Sequence, residues 1–208
     1  MAPQVTRDPS PMTRLDVTPP NTGDPLIVVK VGGGLCSAPG ALDAVGAALA
    51  ELGRRRRLLV VPGGGPFADT VREFDRRERV SADAAHWMAI LAMDQYAHAL
   101  VERIPGAVLV EEPGAVGAAL LRSGVAVLAP YRWLRAADVL PHSWDATSDS
   151  VAAFVAGALD AERLVLIKPA SADPATDLVD PCFASVLPVD LPWTVLGWER
   201  IGELDEIV

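Results

Sequence analysis

Short apolar runs alternate with amphipathic segments along most of the chain. Runs rich in Val, Leu and Ile predict buried strands at five places, residues 26–31, 57–61, 107–110, 125–129 and 163–167. The segments between them repeat apolar residues at helical spacing, which predicts helices over 41–52, from Pro66 onward, and over 81–103, 114–122 and 147–159. Strands that alternate with helices favour a parallel or mostly parallel sheet covered on both faces. The pattern therefore predicts an α/β fold.

The two ends and one middle stretch of the chain carry weaker patterns. Residues 1–25 contain several prolines and no long apolar run, so we expect a disordered N-terminal arm, and neither a signal peptide nor a membrane span. Residues 130–146 are rich in Trp, Pro and His and predict irregular structure. The last forty residues predict a short helix near 181–187, a strand over 193–197 and a closing helix. Because no internal repeat is visible, residues 26–208 are expected to form a single domain.

The chain is acidic, with a formal net charge of −9 over 208 residues. Nucleic acids and anionic membranes usually require a basic surface, so we expect a small-molecule partner, no nucleic acid and no membrane. Cys36 and Cys182 stand in unrelated contexts, without a CxxC motif or zinc-type spacing. A disulfide framework or a structural metal is therefore not expected, and the composition favours a cytoplasmic protein.

Two of the predicted strands end in triple glycine, as VVKVGGG and VVPGGGP. Glycine at a strand-to-helix turn lets backbone N–H groups approach an anion, and the following helix adds the positive end of its dipole. In a parallel sheet both loops lie at the same edge and can converge on one polyphosphate, although a tight turn alone also needs glycine. The candidate phosphate-binding residues are Gly32, Gly33, Gly34, Gly63, Gly64 and Gly65.

Two standard nucleotide-binding motifs do not account for these loops. The chain contains no GK dipeptide, which excludes a Walker loop. Gly63, Gly65 and Ala68 fit the relaxed dinucleotide fingerprint GxGxxA, but two successive helices follow where an acid-tipped strand would be required. A nicotinamide-dependent enzyme is therefore disfavoured.

Lysine is rare in this chain, which contains 16 arginines but only two lysines, Lys30 and Lys168. Each lysine lies at the end of an apolar run. Lysine supplies a compact charge on a flexible stem, whereas arginine supplies a rigid planar fork. We interpret the lysines as a catalytic pair that neutralises charge on a transferring phosphoryl group; the alternative is chance, with snorkelling at a sheet edge. Two like charges need an organising anion, and Asp149 is the candidate. Because Asp149 also begins a predicted helix, with Thr147 or Ser148 as cap, a capping role explains it equally well.

Taken together, the segments VKVGGGL, VVPGGGPFADTVREFD and TSDSVAAFVAGAL resemble the amino acid kinase family, which includes acetylglutamate, carbamate, uridylate and isopentenyl phosphate kinases. The resemblance covers roughly residues 26–170. It implies a three-layer αβα sandwich with a mostly parallel central sheet, which transfers the ATP γ-phosphoryl group directly to an acceptor with Mg²⁺. It also implies that Lys30 contacts the transferring phosphoryl group, that the two glycine loops bind phosphate, and that Asp149 holds the lysines in place.

Further segments, SADAAHWMAILAMDQYAHAL, LPHSWDATSDS and LVLIKP, resemble a small subgroup of this family. That subgroup is associated with methanofuran-type cofactor synthesis in methanogens and methylotrophs, a part of one-carbon metabolism. The resemblance implies an aminomethylfuran-methyl phosphate as the acceptor and a diphosphate as the product. Relatives of this kind also imply a homo-oligomer.

Four residues are candidates for binding the acceptor. His86 shares a helical stripe with Ile90, Met93 and Ala97, which is typical of a core or a subunit interface, but it could bind acceptor phosphate. Trp144 could stack on a furan ring or fill the core, and Asp145 could pair with an aminomethyl cation or cap a turn. The fourth candidate is Ser148, at the predicted helix start.

Two other functions stay open at this point. One is a kinase of the same family that acts on a carboxylate or an isoprenoid phosphate. The other, from a different class, is a non-catalytic relative that binds nucleotide or an oxoanion, or that serves as an assembly subunit. The chain contains only three histidines, which argues against storage of large metal-oxide clusters.

Overall fold

The computed structural model describes residues 25–169 and 178–208. The predicted N-terminal arm therefore lies outside the described residues, apart from Pro25. The strands are β1 Leu26–Val31, β2 Arg57–Pro62, β3 Val108–Val110, β4 Val125–Leu128, β5 Arg163–Lys168 and β6 Trp193–Gly197. The helices are α1 Ala41–Leu52, α2 Gly65–Glu78, α3 Ala82–Arg103, α4 Pro113–Ser123, α5 Tyr131–Ala137, α6 Ser148–Ala158, α7 Phe183–Val186 and α8 Leu204–Ile207. None of these described helices is both long and apolar enough to span a bilayer.

The six strands form one sheet in the order β3-β4-β2-β1-β5-β6, and every neighbouring pair is parallel. The chain leaves β1 toward β2 on one side, and β5 continues to β6 on the other. The carboxyl ends of β1 and β5 therefore lie where the direction of winding reverses, which is where ligands bind in open α/β sheets. The predicted parallel sheet is confirmed.

Two apolar cores lie on opposite faces of the sheet. One contains Val28 of β1 and packs against α4 and α6, and the other contains Ile27 and Val29 and packs against α1 and α8. Successive side chains of a strand point to opposite faces of the sheet, so each central strand contributes side chains to both cores. Helix α3 joins the first core through Ile90 and the second through Leu100. The predicted α/β/α layering is confirmed.

The register of β1 and β5 places both lysines on the same face of the sheet. Lys30 lies opposite Leu166, and Leu166 and Val28 both belong to the core beneath α6. Side chains alternate along each strand, so Lys30, two residues after Val28, and Lys168, two residues after Leu166, point toward α6. The start of α6 can therefore meet both ammonium groups.

Helix α5 occupies part of the stretch that the sequence predicted as irregular, so that prediction was wrong for residues 131–137. Its first backbone amide, Tyr131 N, donates to Asp94 Oδ1 of α3 at 2.9 Å. A carboxylate from a distant helix thus satisfies an N–H group that a local capping residue would otherwise have to bind. The chain terminus also differs in detail, because a 3₁₀ turn over Trp198–Glu203 precedes α8.

The two glycine loops pack backbone against backbone. A Cβ atom added to Gly33 would lie 2.2 Å from the Gly65 nitrogen, and one added to Gly63 would lie 2.4 Å from the Gly33 nitrogen. Among these loop glycines only Gly65 has a positive φ, at +55°. Close approach of the two loops, rather than a left-handed backbone, therefore requires glycine at Gly33 and Gly63.

We expect Gly63→Ala to lower the free energy of unfolding by about 1–3 kcal/mol, because the first loop must shift to admit the methyl group. Gly114→Ala in α4 is the control, since an added Cβ there meets no heavy atom within 4 Å, and alanine favours the helix. Urea unfolding followed by circular dichroism measures both. Equal stability of Gly63→Ala and wild type would show that the loops are not tightly apposed.

Candidate active site at the carboxyl edge of the sheet

A single carboxylate joins the two lysines of the chain. Lys30 Nζ lies 2.9 Å from Asp149 Oδ1, and Lys168 Nζ lies 2.7 Å from Asp149 Oδ2. Lys30 is 5% exposed and Asp149 is 4% exposed. The Lys168 ammonium also donates to the carbonyl of Leu178. One carboxylate thus holds two ammonium groups side by side at the carboxyl edge of β1 and β5.

Burial and charge act against each other in this cluster. Burial alone would raise the pKa of Asp149, but Lys30 and Lys168 together lower that pKa below its ordinary value. Burial lowers the pKa of Lys30, and the attraction of Asp149 opposes only part of this effect. The two lysines thereby keep Asp149 ionised, whereas burial disfavours the charged form of Lys30. Additional negative charge beside Lys30 would therefore stabilise its ammonium group.

Asp180 fixes the start of α6, and with it the position of Asp149. Its Oδ2 atom accepts hydrogen bonds from Thr147 N, Ser150 N and the Thr147 hydroxyl, each at 2.9 Å. Its Oδ1 atom accepts a further bond from the Ser150 hydroxyl. Thr147 occupies the N-cap position, as expected, but its own side chain makes no capping bond. The capping acceptor therefore comes from a carboxylate 30 residues further along the chain.

The glycine residues of the two loops fall into two groups. Gly32 N donates to Ile167 O at 2.9 Å and Gly63 N donates to Val31 O at 2.8 Å, so both amides extend the hydrogen bonding of the sheet. The other four loop glycines border a cavity. Gly33 and Gly34 begin a 3₁₀ turn over Gly33–Ser37, and Gly64 and Gly65 lie at the start of α2. The first backbone N–H groups of a helix have no intrahelical partner. Only this second group can offer amides to an anion.

The cavity has a volume of about 550 Å³ and lies between α2, α3 and the loop that leads into α6. Its inner end is formed by the glycine loops, and Ser148, the neighbour of Asp149, lies in its wall. Its middle is mainly apolar, with Ala85, Ala89, Ile90 and Met93 of α3 in the lining. Such a mixture of apolar walls and a few polar groups is typical of a small-molecule site.

Polar side chains gather at the opposite end of this cavity, which we call the outer end (Arg72, Asp75, His86, His142 and Trp144). Trp144 Nε1 donates to Asp75 Oδ2 at 2.9 Å. The Arg72 guanidinium carbon lies 4.8 Å from the Trp144 ring centroid, a cation–π contact. His86 and His142 stack with their ring centroids 4.2 Å apart.

His142 bridges two carboxylates behind the outer end. Its Nδ1 lies 2.6 Å from Asp83 Oδ1 and its Nε2 lies 2.8 Å from Asp138 Oδ1. Burial would lower the pKa of His142, but these two hydrogen bonds outweigh burial and raise it. For His86, burial and then the charge of His142 lower the pKa to about 4. The pair therefore consists of a His142 ring that favours protonation and a His86 ring that is neutral at physiological pH.

The structure brings together most of the residues that the sequence predicted for the site. Lys30, Lys168 and Asp149 meet, and His86, Trp144 and Ser148 line the cavity with four of the six glycines. Asp145 does not line it: this residue is exposed and its carboxylate accepts from the Ser143 hydroxyl at 3.3 Å. Its contacts match the expected alternative, a local turn.

Sequence reasoning missed Asp180, Arg72 and Asp75. Asp180 follows no recognisable pattern, because its partners lie 30 residues away. Arg72 and Asp75 stand three positions apart on α2, so they share one face of that helix. That spacing was visible, but it does not distinguish a cavity wall from a solvated surface.

Comparison with known sequences supports one family. The sequence model of the amino acid kinase family matches residues 25–171. A curated (5-(aminomethyl)furan-3-yl)methyl phosphate kinase from Methanocaldococcus jannaschii is 29% identical over 140 residues, which cover 67% of this chain. The match spans 63% of that kinase, slightly less than two thirds of its length.

Solved structures share the same fold. Uridylate kinase from Archaeoglobus fulgidus superposes with a TM-score of 0.65 at 18% identity, covering 88% of this chain and 95% of that one. UMP kinase from Bacillus anthracis gives a TM-score of 0.60 at 12% identity, with coverage of 88% and 91%. UMP kinase from Ureaplasma parvum gives a TM-score of 0.60 at 15% identity, covering 88% of this chain and 95% of that one.

We expect Asp180→Ala to lower the free energy of unfolding by about 2–3 kcal/mol, because two backbone amides and two hydroxyls lose their acceptor. Asp190→Ala is the control, since Asp190 is an exposed carboxylate in the same part of the chain. Urea unfolding of the two variants measures the difference. If both variants were as stable as wild type, Asp180 would not hold the start of α6.

The lowered pKa of Lys30 predicts a pH dependence of stability. Between that lowered pKa and the ordinary value of 10.5, the unfolded chain binds more protons at this group than the folded protein does. The free energy of unfolding of wild type should therefore rise with pH in this window, by at most about 1.4 kcal/mol per pH unit. Lys30→Met lacks this contribution, so its stability relative to wild type should fall as the pH rises toward 10.5.

Urea unfolding of both proteins at a series of pH values from neutral to 10.5 measures this difference. Arg55→Met, at an exposed ion pair, should show no such trend. A Lys30→Met difference that stays constant, or that moves in the opposite direction, would contradict the lowered pKa.

Proposed function

The chain belongs to the amino acid kinase family, and from this premise we propose that it is an ATP-dependent small-molecule kinase. The acceptor that we propose is (5-(aminomethyl)furan-3-yl)methyl phosphate, and the reaction would serve the biosynthesis of a methanofuran-type cofactor. The observation that carries the proposal is the Asp149 carboxylate, which holds the ammonium groups of Lys30 and Lys168 at 2.9 and 2.7 Å.

The proposed reaction is a direct phosphoryl transfer. An oxygen of the acceptor phosphate attacks the γ-phosphorus of ATP, the bond from that phosphorus to the β–γ bridging oxygen breaks, and ADP leaves. Negative charge on the transferring group and on the leaving oxygen is the main obstacle, so positioned cations are the main source of catalysis. Lys30 and Lys168 supply these cations, and Asp149 sets their spacing without occupying the space of the phosphates.

The cavity supports a small acceptor. Its inner end lies at Gly33, Gly34, Gly64 and Gly65, beside the first residue of α6. An acceptor phosphate placed there would lie next to the lysine pair, while the apolar middle of the cavity would receive a small ring. The M. jannaschii relative bears the name of a kinase for a furan that carries both a phosphate and an amine. A furan phosphate that carries an amine is therefore favoured as the acceptor over a carboxylate or an isoprenoid phosphate.

The residues present also fit ATP and Mg²⁺. The lysine pair and the helix starts of the glycine loops suit a polyphosphate. Among the described residues no group of three His, Cys, Asp or Glu side chains is arranged to hold a metal. Mg²⁺ is commonly bound by substrate phosphates and water, with one or two carboxylates. We therefore propose that the triphosphate and water would supply most ligands of Mg²⁺, which would neutralise part of the phosphate charge, and that Lys30 and Lys168 bind the remaining phosphate oxygens.

Two related properties stay predictions. One is assembly as a homo-oligomer, for which exposed apolar residues such as Leu121, 64% exposed, are compatible with contact surfaces. The other is a cytoplasmic location. A non-catalytic relative that only binds nucleotide or an oxoanion is the alternative from another class, and the assay below separates it from a kinase.

We expect purified protein with ATP, Mg²⁺ and (5-(aminomethyl)furan-3-yl)methyl phosphate to form ADP and the corresponding diphosphate. Lys30→Ala and Asp149→Asn should each lower kcat by about a hundredfold or more, because the transferring charge loses a cation or its positioning anion. Coupled ADP release and phosphorus NMR of the product measure the rates.

Arg55→Ala removes a distant exposed cation and serves as the control, with an unchanged kcat expected. Circular dichroism establishes that each variant is folded. Near-normal turnover of folded Lys30→Ala or Asp149→Asn would remove the assigned roles. Turnover only with UMP, isopentenyl phosphate or a carboxylate would reassign the acceptor, and calorimetric binding of ATP without any turnover would favour the non-catalytic alternative.

A further inference from the structure

The α2–α3 hairpin sets the length of the cavity. Helix α2 runs outward from Gly65, and α3 runs back toward it. The ring of Tyr96 in α3 would lie 3.6 Å from a Cβ atom added to Gly65. Asp75 lies ten residues after Gly65, and His86 lies ten residues before Tyr96. At 1.5 Å per residue both are about 15 Å from the inner end, so they stand at the same height on facing helices.

Asp75 presents a carboxylate oxygen at this outer end. Trp144 Nε1 donates a hydrogen bond to Asp75 Oδ2 at 2.9 Å, and this bond fixes the orientation of the carboxylate. Among the described residues no basic side chain forms an ion pair with Asp75, because Arg72 instead lies over the Trp144 ring and within 3.4 Å of Asp69. The Oδ1 atom is therefore available to a ligand.

His86 presents a second hydrogen-bonding group there. It is 8% exposed and lines the cavity, yet neither ring nitrogen bonds to any residue in the described part of the chain. Stacking on His142 and an edge contact with Trp87, 4.6 Å between centroids, fix the plane of the ring. Burial and the neighbouring His142 lower the pKa of His86 to about 4, so one ring nitrogen is a hydrogen-bond acceptor at neutral pH.

Asp75 is a carboxylate of the outer end without a basic partner among the described residues. Of the other charges nearby, Arg72 pairs with Asp69, His142 bridges Asp83 and Asp138, and the Arg135 guanidinium lies over the Trp87 ring, 4.5 Å from its centroid. An ammonium group would supply a partner for Asp75, whereas an anion beside this carboxylate would meet repulsion.

We propose that the outer end of the cavity is an ammonium-binding subsite, in which Asp75 and a ring nitrogen of His86 accept hydrogen bonds from a primary amine of the acceptor. This inference rests on the proposed function, since it takes the acceptor phosphate to lie at the glycine loops. It assigns the substrate class as an amine-bearing phosphomonoester whose two charged ends are separated by a small apolar ring.

The test compares the aminomethyl acceptor with its hydroxymethyl analogue, which has the same size and the same phosphate but a neutral hydroxyl in place of the ammonium group. Wild type should prefer the amine by about thirtyfold or more in kcat/KM, because a site built for a charged donor discriminates against a neutral one. Asp75→Asn keeps an oxygen for Trp144 Nε1 but loses the charge. Its kcat/KM should fall about thirtyfold for the amine and less than threefold for the analogue, so that the preference disappears.

Two further variants separate the subsite from general effects. Glu73→Gln removes one charge from the solvent face of the same helix, where Glu73 is paired with Arg76, and should keep the preference for the amine. His86→Phe keeps the stacked ring without its nitrogens and should reduce the preference at least fivefold.

An unchanged preference in Asp75→Asn would overturn the proposal, as would equal kcat/KM of wild type for the two acceptors; in both cases the kinase assignment would stand. If no acceptor is phosphorylated, calorimetry with the same two compounds decides the matter. Tighter binding of the amine that Asp75→Asn abolishes would support the subsite while the kinase proposal fails. Equal binding of the two compounds by wild type would overturn the subsite.

Discussion

The site depends on one carboxylate placed between the buried ammonium group of Lys30 and the partly buried ammonium group of Lys168. Lys30 and Lys168 extend from neighbouring strands whose central residues are fully buried, so their charges are largely removed from water. Burying a charge without a partner costs several kcal/mol, and Asp149 compensates both lysines at once. The arrangement is possible only if β1 and β5 keep their register and if α6 begins above them. A shift of one residue in either strand would turn a lysine to the opposite face.

Helix starts near this cluster are controlled by carboxylates from distant parts of the chain. Asp180 binds the first turn of α6, and Asp94 binds the first amide of α5. The segment that follows β5 also contacts the lysine cluster directly, because Lys168 donates to the carbonyl of Leu178, two residues before Asp180. Contacts of this kind tie together elements that are far apart in sequence, so the positions of the charged groups depend on the whole sheet edge rather than on one loop.

The glycine loops form the inner end of the cavity, and Ser148, the neighbour of Asp149, lies in its wall. The two loops approach closely enough that a Cβ on Gly33 or Gly63 would collide with the opposite backbone. This contact fixes the two loops against each other at the inner end of the cavity. The α2–α3 hairpin then determines how far the polar outer end lies from the glycine loops. Under the proposed function, this distance would select the acceptor by its length, and Asp75 would select it by its charge.

Local sequence alone determined the strands, most of the helices, the parallel sheet and the edge at which Lys30, Lys168 and the glycine loops meet. Periodicity reports burial over a few residues, and parallel strands bring their carboxyl ends together whatever the details of packing. Only the tertiary structure decided that Asp180 caps α6, that the Gly32 and Gly63 amides bond within the sheet, and that Asp75, not Asp145, borders the cavity. These outcomes depend on distances between residues far apart in the chain, or on which face of a helix a neighbour covers, and neither leaves a local pattern.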